Sequence, residues 1–233
     1  MQSNVFCVIQ NVSLMTEMKK TGIGLSFVNR FGMKDINHAS LCAVIPRQPV
    51  AFGFTFQSTG NNTLSEKCLG LSFAHAPFKQ ISFGISARYQ TLSIRGYGHQ
   101  SHITSDIALT SHLNDKFSSS CRILNLVGSN FSLKHTESFS RTFSLGWRYQ
   151  FNKKVRLNCE AEKCASFKTN IKTGIVYQVN QLLRFNIGFS SLQAQCTFGF
   201  SLKRKQYLLE FATGMVQMAG ISTNLSFSYE IGQ

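Results

Sequence analysis

The sequence predicts an all-β protein: an antiparallel, up-and-down transmembrane β-barrel of about fourteen strands. Three observations carry this. Apolar and polar residues alternate along almost the whole chain after residue 20, the period of a strand with two unlike faces. The repeating segments are near ten residues long, the length of a tilted strand that crosses a bilayer. The links between them alternate between short and long, as they do where the two rims of a barrel differ.

The N-terminal stretch 1–20 does not alternate, and residues 4–19 are the one helix candidate. It is assigned to a short helix or to a plug in the lumen, ahead of a barrel spanning 21–233. The strands then read near 21–30, 36–45, 48–58, 65–76, 79–94, 101–113 and 116–126. They continue near 140–151, 154–164, 170–179, 182–190, 194–203, 205–217 and 220–231. Short links are expected at Pro46-Arg47, Pro77-Phe78-Lys79, Asn114-Asp115, Asn152-Lys153, Asn180-Gln181 and Lys203-Arg204-Lys205. Asn and Asp suit such turns because they tolerate left-handed backbone geometry. Longer links are expected at QSTGNNTLSE (57–66), RGYGHQS (95–101) and VGSNFSLKHTESF (127–139). An even strand count places both termini on the short-turn side.

The segment TFSLGWRYQF (142–151) shows the pattern at its clearest. Phe143, Leu145, Trp147, Tyr149 and Phe151 share one parity; Ser144, Gly146, Arg148 and Gln150 share the other. The apolar parity continues through Ile81, Phe83, Ile85, Tyr89, Val155, Leu157, Cys159, Ile175, Tyr177, Phe185, Phe189, Leu225, Phe227 and Tyr229. Keeping like faces together across Asn152-Lys153 requires an odd turn, which sets Gln150 opposite Arg156 and Gly146 opposite Glu160. A soluble sandwich also alternates. The apolar parity here is almost free of charge, however, and aromatics recur near strand ends (Tyr89, Tyr149, Phe151, Tyr207, Tyr229), as interfacial girdles do. An Arg facing lipid at the midplane costs about 2–4 kcal/mol, so the arginines belong to the lumen.

The candidate lumen residues are therefore Arg88, Asp106, Arg148, Arg156, Glu160, Glu162 and Arg184. One reading makes them a paired, hydrogen-bonded filling. The other makes them a path or seat for an amphipathic or anionic ligand, because a guanidinium grips a carboxylate through two parallel hydrogen bonds.

Composition narrows the remaining classes. The chain has 233 residues, 15% charged, with 3 prolines and 21 phenylalanines, which argues against disorder. No run approaches the length of a membrane-crossing helix. The net charge of +14 is spread along the chain without a nucleic-acid-binding motif, so no nucleic-acid partner is expected. The 7 cysteines form no CxxC, which argues against a zinc site. Cys121 and Cys159 sit on the apolar parity and read as small hydrophobes, and no disulfide framework is expected. Nucleotide-binding and hydrolase motifs are absent. His99-Gln100-Ser101-His102 with Asp106 is the most enzyme-like cluster; it reads as a solvated polar loop. The expectation is a protein that is not an enzyme and has no cofactor or metal.

Several segments resemble a known family: FVNRFGMKDIN (27–37), ISFGISARYQTLSIRGYG (81–98), LNCEAEKCASFKTNIKTGIVYQV (157–179), and LLRFNIGFS with CTFGFSLKRKQYLLEFATG (182–214). Their order is similar to the Bacteroidetes outer-membrane barrels related to PorV and PorQ, within the wider FadL-like superfamily. The resemblance implies a bacterial outer-membrane location with lipid as a partner. It implies an accessory barrel for protein secretion or surface attachment, with the proteins of that machinery as partners. The alternative it leaves is transport of hydrophobic or amphipathic small molecules, with a fatty-acid-like ligand. VIQNVSLMTEMKK (8–20) resembles the family's lumenal N-terminal segment, so Met1 would fall inside the mature protein and the export signal would be missing through truncation. The ending Tyr229-Glu230-Ile231-Gly232-Gln233 lacks the family's terminal aromatic, which bears on insertion.

Overall fold

The computed structural model describes residues 4–126, 140–165, 167–216 and 219–231. Fourteen strands form one closed antiparallel barrel. They are β1 (Thr21–Asn29), β2 (His38–Arg47), β3 (Val50–Gly60), β4 (Leu64–Phe78), β5 (Ile81–Ile94), β6 (Gly98–His112) and β7 (Phe117–Leu124). The second half holds β8 (Thr142–Gln150), β9 (Val155–Cys164), β10 (Asn170–Gln178), β11 (Leu183–Ser190), β12 (Gln195–Arg204), β13 (Tyr207–Val216) and β14 (Gly220–Ile231). Each strand pairs with its sequence neighbours, and β1 closes on β14 from Thr21↔Ile231 to Asn29↔Thr223. Closure leaves no free sheet edge, which a bilayer requires because it offers no water to an unpaired backbone group.

The pleat sorts the side chains as the alternation requires. Nearly every strand sends large apolar residues outward, among them Leu25, Phe54, Leu71, Ile85, Trp147, Ile187 and Phe227. A continuous apolar belt of this kind far exceeds the patches that soluble monomers expose. It is a lipid-facing surface, and the architecture is that of an outer-membrane barrel. The β8–β9 register sets Gly146 opposite Glu160 and Gln150 opposite Arg156, as the odd turn demands. Rings cluster where the belt meets the short turns: Tyr149 and Phe151 meet edge to face at 4.8 Å, and Tyr207 and Tyr229 lie 5.0 Å apart.

The short turns have a common device. The side-chain carbonyl of Asn114 accepts from the N–H groups of Lys116 (2.9 Å) and Phe117 (2.8 Å). Asn152 does the same for Lys154 and Val155, and Asn180 for Leu182 and Leu183. The asparagines therefore act by closing Asx turns.

The strand ends depart from the expected links. Gln57–Gly60 and Gly98–Ser101 belong to strands, and the links shrink to residues 61–63 and 95–97. Pro46, Arg47, Pro77 and Phe78 are also strand residues. The reason is physical: the apolar pattern ends where lipid ends, but the backbone ladder of β4, β5 and β6 continues beyond it. The expected long link 127–139 lies outside the described residues.

The N-terminal stretch folds as two short pieces, a helix α1 (Cys7–Gln10) and a 3-10 run Val12–Glu17, divided at Asn11. Asn11 is extended and caps the second piece by accepting from Ser13 N–H at 3.2 Å. Both pieces lie inside the barrel.

Candidate functional site

The lumen is the candidate site, and its two walls differ. One wall, formed by β1–β6, presents small residues inward: Gly22, Gly24, Cys42, Val44, Ala51, Gly53, Ala74, Gly84 and Ala108. Against it pack Val5, Phe6, Cys7, Val8, Val12, Leu14, Met15 and Met18, all buried. The fit depends on missing side chains. A Cβ at Gly84 would stand 2.8 Å from the Ser13 nitrogen and from the Val12 carbonyl carbon; one at Gly53 would meet Met15 Sδ at 2.6 Å. Burial pushes the Cys7 thiol well above its usual pKa, since a thiolate there would lose its water.

Polar contacts hold the segment at its edges. Asn11 Nδ2 donates to Thr110 Oγ1 at 3.3 Å, and the Ser13 and Thr110 hydroxyls share a hydrogen bond at 2.7 Å. His112 Nε2 lies 2.9 Å from Glu17 Oε1. The Arg122 guanidinium donates to the Gln10 carbonyl oxygen, and Asn4 Nδ2 donates to Glu210 at 3.2 Å.

The other wall, β7–β13, carries the charge in two tiers. Towards the short turns, Arg156 lies between the like charges of Arg148 and Arg184, with Glu17 as the opposite charge near Arg156 and Glu210 near Arg184. Arg148 donates to Ser118 Oγ at 3.1 Å. Arg184 stands opposite Ser201, which donates to Glu210 at 3.0 Å. Arg156 keeps its Nε buried with no acceptor among the described residues. Further from the short turns, Lys172 Nζ bridges Glu162 (2.9 Å) and Glu160 (3.4 Å), and Arg122 lies 4.0 Å from Glu162. A cavity of about 70 Å³ between Leu14, Ser144, Gly146, Arg122 and Glu160 separates the N-terminal segment from this wall.

Arg88 and Asp106 stand apart from both tiers as an ion pair, with Asp106 buried and Arg88 partly so. Asp106 also accepts from Ser86 Oγ and from the Asn125 N–H, each at 3.1 Å. This fully occupied carboxylate replaces the expected polar-loop cluster. His99 to His102 lie in β6, and His102 faces inward, bonded to Gln90 at 2.6 Å. Ser101 faces outward beside Thr91, so the group does not converge. Among the described residues no three His, Cys, Asp or Glu side chains gather as metal ligands, and all seven cysteines are free thiols.

The sequence reading omitted Glu17, His112, Arg122 and Glu210. Parity alone could have found Arg122 and Glu210, which alternate with outward Cys121 and Phe211. Nothing local marks Glu17, whose partner lies 95 positions away.

No protein-family model and no curated protein matches the chain. Solved structures do match its fold. The monoaromatic hydrocarbon channel CymD aligns with a TM-score of 0.77 at 13% identity, over 99% of this chain and 94% of its own. The Ralstonia pickettii toluene transporter TbuX gives 0.76 at 11% identity, over 98% and 94%. A Pseudomonas aeruginosa FadL homologue gives 0.69 at 10% identity, over 100% and 95%. The chain is thus similar in fold to the fourteen-strand hydrocarbon-channel barrels. The expected accessory role in secretion or surface attachment is corrected by this: CymD and TbuX, which share the fold along nearly the whole chain, are described as a hydrocarbon channel and a toluene transporter. The narrower likeness to PorV and PorQ has no support from them either.

Proposed function

We propose that the protein is a channel for small hydrophobic or amphipathic molecules, with the N-terminal segment 4–18 as a plug over half of the lumen. The observation that carries this is the contrast within one lumen: an apolar plug packed on one wall faces a tier of arginines on the other. A molecule with a ring or short chain and a carboxylate head matches that contrast, apolar body to plug and head to guanidinium. The buried, unaccepted Nε of Arg156 supports a seat for such a head, because an unsatisfied buried donor is otherwise costly. The toluene transporters and hydrocarbon channels that share the fold support the apolar half of the reading.

Flux into protein-loaded liposomes tests it. Benzoate and toluene should enter faster than through protein-free liposomes, and a sugar of equal size should not. Arg156→Gln should slow benzoate and leave toluene unchanged. Sugar passing as fast as both aromatics would reduce the protein to a general pore. No flux of either aromatic would overturn the proposal.

A further inference from the structure

Both rims carry exposed cations, but on the long-link rim Arg30, Lys67, Arg95, Arg141, Lys163 and Lys168 share it with the exposed acids Asp35 and Glu66, whereas the short-turn rim is more purely cationic. Lys19, Arg47, Lys79, Lys116, Lys153, Lys154, Arg204 and Lys205 are all exposed there. Among the described residues of that rim, Asp115 is the exposed acid; Glu230 is half-buried and holds Lys203 at 3.1 Å. These cations are not needed to make the turns. Asn114 and Asn152 already close their turns through their own side chains, and Lys116, Lys153 and Lys154 merely stand beside them. Asn180 closes its turn in the same way with no lysine present. Lys205 sits at φ 53°, a left-handed conformation that Gly or Asn would take at less cost, so a cation occupies a position where backbone geometry favours another residue.

We propose that this ring is a binding surface for the anionic headgroups of phospholipids. The geometry selects lipid over a protein partner. A docked protein covers one side of a rim, whereas these cations recur around its circumference, from the start of β1 through five of the six turns to β12–β13. They also lie directly beyond the lipid-facing belt and its rings (Tyr149, Phe151, Tyr207, Tyr229), the level at which headgroups sit. Cations at that level attract an anionic surface, an effect confined to about a Debye length. The proposal rests on the barrel and its belt, and is independent of what the lumen carries.

The single tryptophan reports on it. Trp147 faces outward, three residues before the end of β8, so it lies about 10 Å along the strand from the Lys153-Lys154 turn. The full chain is folded into dioleoylphosphatidylcholine vesicles containing either brominated phosphatidylglycerol or brominated phosphatidylcholine, and quenching of Trp147 is measured. At low salt, phosphatidylglycerol should be enriched about fivefold over its bulk fraction, the shift expected of one well-placed cation. The enrichment should fall towards one in about 0.5 M salt, where screening acts within a few ångströms. Replacing Lys116, Lys153 and Lys154 together with Gln should remove it while quenching by brominated phosphatidylcholine stays the same. Equal quenching by the two lipids in the unaltered protein overturns the proposal. So does an enrichment that persists in high salt or in the triple variant. The salt comparison needs no variant and stands even if the triple variant does not insert.

Discussion

The walls of β1–β6 and β7–β13 are built on the same alternation and face the same lipid, yet they treat the lumen in opposite ways. Where the N-terminal segment packs, the first wall gives up inward side chains and the apolar segment fills the space they leave; beyond it, Arg88 and Asp106 pair with each other. The second keeps long charged side chains, and these fill the space themselves. Outward chemistry is set by one solvent, lipid, and is uniform around the barrel. Inward chemistry is set by whatever stands opposite, so it changes from wall to wall. Gly84 and Arg156 both point inward in the short-turn half of the barrel, and Val12 and Ser13 stand against Gly84.

Removing residues 4–18 should break this comparison most completely. The small-residue wall would lose its cover, and single-channel recordings in planar bilayers should change from closed to steadily conducting. Unaltered conductance would mean that the charged wall fills the lumen by itself. Asp106→Ala comes next. It strands the Arg88 guanidinium and removes the acceptor for Ser86 and Asn125. Breaking a buried pair from one side costs about 3–5 kcal/mol, read as a lower urea midpoint for folding into vesicles.

Trp147→Arg tests the outer face of the charged wall. It should cost about 2–4 kcal/mol if Trp147 is near the bilayer midplane and at most about 1 if it is near the interface. Arg148→Gln, one residue on, should insert normally, as heat-modifiable gel migration would report. The reverse order of these two variants would invert both faces. Gly84→Ala sharpens the other wall for a smaller effect. Its new methyl meets backbone at 2.8 Å, which overpacks the contact at about 1–3 kcal/mol. Cys7 provides the readout: its thiol, buried and held in the neutral form, should react slowly with maleimide in the unaltered protein and faster once the segment is displaced.

Local alternation determined a great deal here. It placed Trp147 and Arg148 on opposite faces, and with one odd turn it paired Gly146 with Glu160. Side-chain parity is a property of each strand, so the sequence carries it openly. The far end of β3 and the start of β6 were only partly legible, because Thr59, Gly60 and Gly98–Gln100 carry no apolar alternation clear of lipid while their backbones remain in the ladder. Tertiary structure alone decided how the lumen is filled. Glu17 meets His112, Gln10 meets Arg122, and Val12 meets Gly84, each pair joined by a contact between chain segments remote in sequence. A two-residue period says which way a side chain points, but what it meets inside a closed barrel depends on which strands closure brings around it.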